Sequence, residues 1–389
     1  MTSPHLSPLC RAVDGHVQRP RAPTGAHRAL KRFTCQLASR GPGAIGVAAR
    51  VALVHKPPQR ATLADVARLA GVSAKTVSRV YDGSTNVSPD TRRRIEDAAE
   101  RLHFRPNLLA RSLRHGGVST AVGFVLGDLT NPFYVKVAAG MERELSRSGL
   151  TMVLGATEDD PAEEHRVVGT FLAQRVRALA LVPIADDQSY LERERGLGTP
   201  VVTVDRPARN LLADSVLLDD REGTAEAVRA LTRLGHRRIA FVCDPAHLYT
   251  HVERLAGYRE ALREAGVEDT SAWERLDDPP GQGTEASILG LMDMAEPPTA
   301  IVTGNNKASA ALVRALGPMR DDLAYVGFDD FDLADAIGFS VVAYDTVELG
   351  RMVARRVLAR LDDPAGAPVH VRMPTHLVPR GSGERPPPK

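Results

Sequence analysis

Apolar residues recur at helical spacing in residues 61–83, a short segment that stands out from the rest of the chain. The inward positions are Leu63, Val66, Ala67 and Ala70 in a first stretch, and Val77 and Val80 in a second. This spacing is typical of helices that bury one face. Gly71 lies between the two stretches and suits the left-handed residue that closes a helix. The segment therefore predicts two short helices joined by a tight turn, with Val72 packing inward.

Polar residues mark where the two helices begin. Thr62, with Asp65 three residues later, is a good N-cap for the first helix, and Ser73 caps the second. The outward positions of the second helix are Ala74, Lys75, Ser78 and Arg79. This is the pattern of a helix-turn-helix, whose second helix enters the DNA major groove. A helical hairpin with an ordinary solvated face is the alternative interpretation.

A third helix is predicted to begin at Ser88, with proline at its first position, and to run to Leu102. Three consecutive arginines, Arg92 to Arg94, stand near its start, where positive charge opposes the helix dipole. Phosphate contact would explain them, and a solvated face is the alternative. The stretch from Asn107 to Arg114 is a helix too short to be stable alone, so we interpret it as a linker that orders only when something holds it.

Beyond residue 118, strand-like apolar runs alternate with amphipathic helical stretches such as Phe133–Ser148 and His251–Ala265. The runs are Ala121–Leu126, Thr151–Leu154, Ala178–Val182, Val201–Val204, Ile239–Val242, Ala300–Val302 and Ala324–Val326. Such alternation predicts parallel sheets with helices on both faces. The length suits two subdomains, and a crossover between them is expected near Asp244 and Pro245.

Ligands of open parallel sheets bind outside the carboxyl ends of the strands, so the loops there are candidate sites. The candidates in these loops are Asn131, Phe133, Tyr134, Asp205, Asp219, Thr250, Arg254, Asn305 and Asp329. Carboxylates, amides, an arginine and an aromatic platform suit polyhydroxylated or heterocyclic ligands. Arg254 opposing Asp329 would supply a bidentate donor fork. Capping of the following helix is the alternative for Asn131 and for the pair Asp219 and Asp220.

The near-neutral total charge conceals a strong asymmetry. Residues 1–118 carry 20 Lys and Arg against 7 Asp and Glu, whereas the remaining 271 residues carry 30 against 41. A basic front attracts DNA phosphates and an acidic body discourages wrong docking. The charge pattern thus supports DNA as the partner of the predicted head.

The run from Thr62 to Arg114 closely resembles the DNA-binding head and hinge of the lactose-repressor (LacI/GalR) family, and the resemblance extends to about residue 380. It implies that Ala74, Lys75 and Arg79 read bases and that Leu113 wedges into the minor groove. The full DNA-binding set that we expect is Thr62, Ser73, Ala74, Lys75, Thr76, Ser78, Arg79, Asn86, Asn107, Ala110, Arg111, Leu113 and Arg114. The resemblance also implies two lobes similar to periplasmic sugar-binding proteins, an effector in the cleft between them, and contact of Arg254 with that effector.

Departures from the family pattern bear on the ligand. Asn305 and Asn306, followed by Lys307, stand where many members have Asn-Asp, and Tyr344 to Thr346 replace a frequent Gln-Pro pair. The residues after Asp244 offer no second cation for an anionic effector. We therefore expect a sugar or another neutral small molecule.

Other classes of function find little support. The three cysteines, Cys10, Cys35 and Cys243, lie far apart, and there is no metal-ligand spacing or Gly-rich phosphate loop. We expect no catalytic residue, no metal site and no cofactor. No stretch approaches the roughly 18 apolar residues that span a bilayer, so no membrane partner is expected.

Residues 1–58 are rich in Pro, Arg, Ala and Gly with one acidic residue, Asp14, and are expected to be disordered or a spurious extension. The predicted organisation is an all-α helix-turn-helix head (59–106), a hinge (107–118), an α/β effector domain of two doubly wound parallel-sheet lobes (119–380) and a disordered tail (381–389). The predicted function is a cytoplasmic, homodimeric transcription repressor that binds a pseudo-palindromic double-stranded operator under control of a small-molecule effector. A solute-binding protein for transport or sensing is the alternative.

Overall fold

The computed structural model describes residues 61–82, 86–105, 119–243, 247–276, 283–317 and 322–389. The chain divides into two compact units at residues 107 and 108. Of the predicted DNA contacts, Asn107, Ala110, Arg111, Leu113 and Arg114 lie outside the described residues, as do the extension 1–58 and the whole predicted hinge, 107–118.

The first unit contains three helices, α1 (Leu63–Ala70), α2 (Ala74–Tyr81) and α3 (Pro89–Arg101). Their starts follow the predicted caps: Thr62 and Asp65 form a capping box, and the Ser73 and Ser88 side chains accept from Thr76 N and Thr91 N. Gly71 closes α1 at φ +66°, a conformation that costs glycine little. Val66, Val77 and Ile95 are fully buried where the helices meet.

The second unit alternates strands and helices along most of its length. Its first half comprises β1 (Ala121–Leu126), α4 (Pro132–Arg147), β2 (Thr151–Ala156), α5 (Pro161–Ala173), β3 (Ala178–Leu181), α6 (Glu192–Gly196), β4 (Val201–Val204), β5 (Asp214–Leu218) and α7 (Asp220–Arg233). Its second half comprises β6 (Ile239–Val242), α8 (Tyr249–Glu264), β7 (Glu274–Arg275), α9 (Thr284–Met292), β8 (Ala300–Thr303), α10 (Asn306–Leu316), β9 (Ala324–Phe328), β10 (Ser340–Ala343), α11 (Thr346–Asp362), β11 (His370–Met373) and β12 (His376–Val378).

These strands form two six-stranded sheets, one in each lobe. The first lobe has the order β11-β5-β4-β3-β1-β2, with all neighbours parallel. The second has the order β12-β10-β9-β8-β6-β7, in which only the pair β10–β12 is antiparallel. The prediction of two doubly wound lobes is confirmed, with one antiparallel edge strand added.

Alternating strand residues face helices on opposite sides of each sheet. In β1, Phe124 packs in the same cluster as Met141 of α4 and Val353 of α11, whereas Val125 packs in the same cluster as Phe171 of α5. A strand buried on both faces reads as a continuous apolar run. This is why the central strands are visible in the sequence.

Two glycines let α4 and α11 approach closely. A Cβ atom on Gly140 would lie 2.0 Å from the carbonyl oxygen of Val347, and one on Gly350 would lie 2.0 Å from that of Val137. The backbones of the two helices therefore touch where they cross, and a larger residue at either position would push them apart.

The predicted crossover near Asp244 and Pro245 is wrong. Residues 244–246 lie outside the described residues, but β6, which ends at Val242, already belongs to the second sheet. The chain first crosses between β5 and β6, by way of α7. It returns through α11 to β11, and it crosses again between Met373 and His376.

The expectation of a disordered tail from residue 381 also differs from the structure. Ser382 is fully buried, its backbone carbonyl accepts from Tyr325 N at 3.0 Å, and its hydroxyl donates to the Tyr325 carbonyl at 2.7 Å. Its hydroxyl also accepts from Ser340 N at 2.8 Å. The residue thus joins neighbouring strands β9 and β10, which polar composition alone did not suggest.

Candidate functional site

The exposed face of α2 carries the cationic side chains that the sequence places there. Ala74, Lys75 and Arg79 are exposed, whereas Val77 and Val80 are buried against the other helices. The remaining predicted DNA contacts in the described part of this unit are Thr62, Ser73 and Asn86, which are exposed, and Thr76 and Ser78, which are half-buried. The face is therefore open for contact with a duplex.

The second unit contains a cavity of about 190 Å³ between its two lobes. Residues at the carboxyl ends of strands from both sheets line it: Asn131, Phe133, Tyr134, Asp159, Asp205, Arg206, Cys243, Leu248, Thr250, His251, Arg254, Asn305, Lys307, Asp329 and Tyr344. This position follows from the winding of parallel sheets, whose loops at that edge leave a crevice.

On the first lobe, Asp205 and Arg206 follow β4 and are both buried. The Arg206 Nε lies 3.7 Å from the Asp205 carboxylate, and its Nη1 donates to the Pro183 carbonyl at 3.2 Å. Burial raises the pKa of Asp205, which the charges of Arg206 and Arg254 only partly offset. Because its negative charge is buried and only partly compensated by the two arginines, the Asp205 carboxylate favours a ligand that donates hydrogen bonds to it.

On the second lobe, Arg254 of α8 is the central cation. Its Nε donates to Asp220 at 2.7 Å, its Nη2 lies 3.9 Å from Asp329, and its guanidinium stacks 3.8 Å above the Phe328 ring. Burial opposes the charge of Arg254, but Asp220 and Asp329 outweigh it and raise the arginine pKa. The guanidinium is thus fixed and charged at the cavity wall.

Aromatic side chains form another wall. The rings of Phe133 and Tyr134 lie 5.0 Å apart, and those of Phe133 and Tyr344 lie 6.3 Å apart. The Tyr344 hydroxyl donates to Asp329 at 2.7 Å. Flat apolar rings beside fixed polar groups match the faces and edges of a sugar ring.

Polar contacts also join the two lobes at the cavity mouth. The Lys307 Nζ lies 2.8 Å from Asp128, and the Asn306 side-chain amide donates to the Asn131 side-chain oxygen at 2.8 Å. Asn131 additionally accepts from Phe133 N. Asn131 therefore caps α4 and also lines the cavity, so the structure contains both of the roles that the sequence left open.

Eight of the nine predicted effector residues line the cavity, and Asp219 does not. Its backbone carbonyl accepts from the Thr375 hydroxyl, while its neighbour Asp220 is fully buried and binds Arg254. The carboxylate next to Arg254 is therefore Asp220 and not Asp219. Which of two adjacent aspartates faces inward depends on how α7 begins, which the sequence leaves open.

The predicted set omitted several residues that line the cavity: Asp159, Arg206, Cys243, Leu248, His251, Lys307 and Tyr344. The expectation of no second cation concerned only the residues after Asp244, and the second arginine of the cavity, Arg206, comes from the loop after β4. Its position directly after β4, beside the predicted Asp205, was the signal that could have identified it.

Among the described residues, no group of three or more His, Cys, Asp or Glu side chains could hold a metal ion. Within the same part of the chain, every helix is too short or too polar to cross a membrane. The Cys243 thiol is buried, and its sulfur accepts from the Asn305 side-chain amide at 3.7 Å.

A helix-turn-helix unit with an exposed cationic helix, followed by a two-lobed unit with a polar and aromatic cleft, defines a ligand-responsive DNA-binding regulator. Comparison with known proteins identifies the family. Residues 62–107 match the bacterial regulatory proteins of the lacI family, and residues 228–383 match the periplasmic binding protein-like domain. The chain belongs to the lacI family of transcriptional regulators and is not an enzyme.

Curated relatives match over nearly their whole length. The chain is 32% identical to the HTH-type transcriptional regulator CelR of Thermobifida fusca over 338 residues, covering 84% of this chain and 99% of CelR. It is 30% identical to the regulator GalR of Escherichia coli over 340 residues, covering 84% and 96%. These matches exclude the alternative of a solute-binding protein without DNA binding.

Solved structures agree with the fold. A complex of the regulator CelR with cellobiose is 31% identical, with a TM-score of 0.60 and coverage of 83% of this chain and 100% of that one. A lac repressor dimer bound to operator and the anti-inducer ONPF is 24% identical, with a TM-score of 0.72 and coverage of 84% and 99%. The second likeness supports the fold alone.

Proposed function

We propose that this regulator is a homodimeric repressor whose operator affinity is set by a sugar bound in the cleft between its two lobes. The main support is that each lobe places an arginine beside a carboxylate at the same cavity. Arg206 lies beside Asp205 in the first lobe, and Arg254 lies beside Asp220 in the second. Such donors and acceptors, beside aromatic rings, fit the hydroxyls and faces of a sugar. A ligand that contacts both lobes favours one arrangement of them, which is the basis of coupling to a second site.

Relatives support this ligand class. The CelR structure is described as a complex with cellobiose, and a regulator from Enterococcus faecium is described with bound ribose. We infer a monosaccharide for this chain, because a cavity of about 190 Å³ is smaller than the roughly 300–1,000 Å³ of sites for drug-sized ligands.

Operator DNA and a second copy of the chain are the proposed macromolecular partners. The lac repressor structure is described as a dimer bound to operator, and a dimer of heads would read a pseudo-palindromic site. We propose a cytoplasmic location in accord with DNA binding.

Separation of the two binding functions tests the proposal. We expect Arg79→Ala to reduce operator discrimination by about 1–3 kcal/mol, because it removes an exposed cation from the recognition helix. Ligand affinity should stay the same. Arg254→Lys should do the reverse, because lysine keeps the charge but loses the planar donor fork.

The measurement combines gel shifts at two salt concentrations, on duplexes selected from a random library, with calorimetric titration of monosaccharides. The salt series separates phosphate attraction from base reading. Identical defects in both variants would contradict the division of function. Wild-type binding that is equal for all duplexes would contradict a sequence-specific regulator.

A further inference from the structure

Asp159 lies in the cavity wall on a turn that the predicted site did not include. It follows β2, and both Glu158 and Asp159 adopt left-handed backbone conformations, with φ of +52° and +55°. The turn is fixed by its backbone, since Thr157 N and Glu158 N donate to the Gly127 carbonyl at 3.1 and 2.8 Å. Two consecutive left-handed residues that are not glycine point to a local functional constraint.

Gly127, at the end of β1, makes room for the Asp159 carboxylate. A Cβ atom at position 127 would lie 2.5 Å from Asp159 Oδ1 and 3.2 Å from the Tyr134 hydroxyl. The carboxylate therefore occupies the space that any larger residue at position 127 would take. Its placement depends on two loops of the first lobe.

Arg206 lies beside this carboxylate. Its Nη2 is 3.8 Å from Asp159 Oδ1, and its Nε is 3.7 Å from Asp205. Both separations exceed hydrogen-bond distance. Its other hydrogen bonds run to the Pro183 carbonyl and, at 3.4 Å, to the Tyr134 hydroxyl. One guanidinium thus has two carboxylates near it and is hydrogen-bonded to neither.

Two buried polar atoms remain at this corner of the cavity. Among the residues that the structure describes, Asp159 Oδ1 and Arg206 Nε have no hydrogen-bond partner. One is an acceptor and the other a donor, and a hydroxyl group can serve both because it donates once and accepts twice. A ligand carboxylate has no proton to give Asp159 and would add a third anion beside Arg206.

We propose that Asp159 is a specificity-determining residue of the cleft, which accepts a hydroxyl of an uncharged sugar and disfavours ligands that carry a carboxylate at that end. This inference rests on the proposed function and deepens it, because it assigns the charge class of the ligand to one side chain. Arg206 is the partner donor, and Gly127 is the positioning residue.

The experiment is calorimetric titration of the full chain with matched pairs of probes. The neutral probes are D-ribose, D-glucose and D-galactose, and the acidic ones are D-glucuronate and D-galacturonate. We expect wild type to bind at least one neutral hexose at least tenfold more tightly than its uronate. Asp159→Asn should weaken neutral binding about tenfold to hundredfold, as expected when a charged hydrogen bond is lost, and should bring the two affinities close together.

Asparagine suits this test because it tolerates the left-handed conformation as aspartate does. Gly127→Ala keeps the carboxylate but displaces it, and it should likewise reduce the preference for the neutral sugar. Glu158→Gln removes an exposed charge on the same turn and is the matched control, expected to leave the ratio within about twofold. Thermal unfolding of each variant verifies that it is folded.

The outcomes distinguish the two proposals. If wild type binds a neutral hexose but Asp159→Asn keeps the same ratio of neutral to uronate affinity, the assignment of Asp159 is overturned and the proposed function stands. If wild type binds a uronate more tightly than its neutral partner, the assignment is overturned as well. If no sugar of either kind binds, the proposed sugar effector fails and the inference fails with it.

Discussion

Three of the carboxylates that line the cavity stand on left-handed backbone. The φ angles of Asp159, Asp205 and Asp329 are +55°, +66° and +73°. Aspartate tolerates this region better than most residues, but the conformation still costs free energy and persists only where surrounding structure imposes it. The three loops therefore aim their carboxylates into the cleft at some expense to stability, as expected of a site selected for binding.

The raised pKa of Asp220 leads to a prediction about how stability depends on pH. It is fully buried behind Arg254, and burial raises its pKa to about 7, which the arginine only partly offsets. The pKa of an unfolded aspartate is about 3.9. The folded state therefore binds the proton more tightly. The resulting stabilisation is complete below about pH 4 and is lost as the pH rises through 7.

We accordingly expect the unfolding free energy of wild type, relative to that of Asp220→Asn, to fall between pH 5 and pH 7. The slope should be at most about 1.4 kcal/mol per pH unit. Denaturant titrations at pH 5, 6, 7 and 8 measure it. Asp219→Asn changes the half-buried neighbour and is the matched control. A difference between wild type and Asp220→Asn that stays constant with pH would contradict the raised pKa.

The sequence could not identify every residue that lines the cavity, because adjacent residues with similar side chains are equally good candidates. Residues 157–160 are four consecutive polar residues, and only the left-handed turn decides that Asp159 lines the cavity while Asp160 caps α5. Asp219 and Asp220 presented the same ambiguity. Arg254 could be identified from the sequence, because it is the one arginine among the buried positions of its helix.

Among the secondary-structure elements, those with a strong local pattern were predicted well. The strands β1 and β6 have the predicted bounds, because strands buried on both faces leave no polar residue inside the run. The edge strand β11 was missed, since its residues alternate between exposed and half-buried and only Met373 is buried. The crossings between lobes were misplaced because no local pattern records which sheet a strand joins.

The crossing of α4 and α11 gives a prediction at the scale of elements. Gly140→Ala would place a Cβ atom 2.0 Å from the Val347 carbonyl oxygen, so we expect a loss of about 1–3 kcal/mol in unfolding free energy. At Gly169, inside α5, an added Cβ atom would meet nothing within 4 Å. Gly169→Ala should instead stabilise by about 0.5–1 kcal/mol, because alanine favours the helix.

Denaturant unfolding of the two variants measures both effects. The opposite signs are the important point, since both substitutions add one methyl group inside a helix. Equal effects of the two variants would show that the close approach of α4 and α11 does not limit the residue size at position 140.

At the scale of the second unit, the arrangement of the lobes depends on few direct contacts at the cleft mouth. Asp128 accepts from Thr130 N and from the Thr130 hydroxyl on one oxygen, each at 2.7 Å, and from Lys307 at 2.8 Å on the other. Burial opposes the charge, yet these hydrogen bonds lower the pKa of Asp128 to about 2. The carboxylate is thus ionised throughout the neutral range, and the ion pair joins the first lobe to the second.

We expect Lys307→Ala to favour an open arrangement of the lobes and to weaken sugar binding about two- to fivefold, the modest effect of a partly exposed ion pair. Lys136→Ala is the matched control. Lys136 also bridges the lobes, 3.2 Å from Asp332, but their side chains are 41% and 81% exposed. The control should therefore change affinity little. Calorimetric titration measures affinity, and small-angle X-ray scattering without ligand reports lobe opening.

Exchanging the charges of Asp128 and Lys307 tests whether the effect depends on the ion pair between these two residues. The double variant Asp128→Lys with Lys307→Asp restores opposite charges across the cleft, so it should recover part of the affinity that either single change removes. Thr130 holds one oxygen of Asp128, and the exchange cannot preserve that bond, so recovery should be incomplete. If the double variant binds no better than the single ones, the Lys307 effect arises from contact with the ligand and not from contact between the lobes.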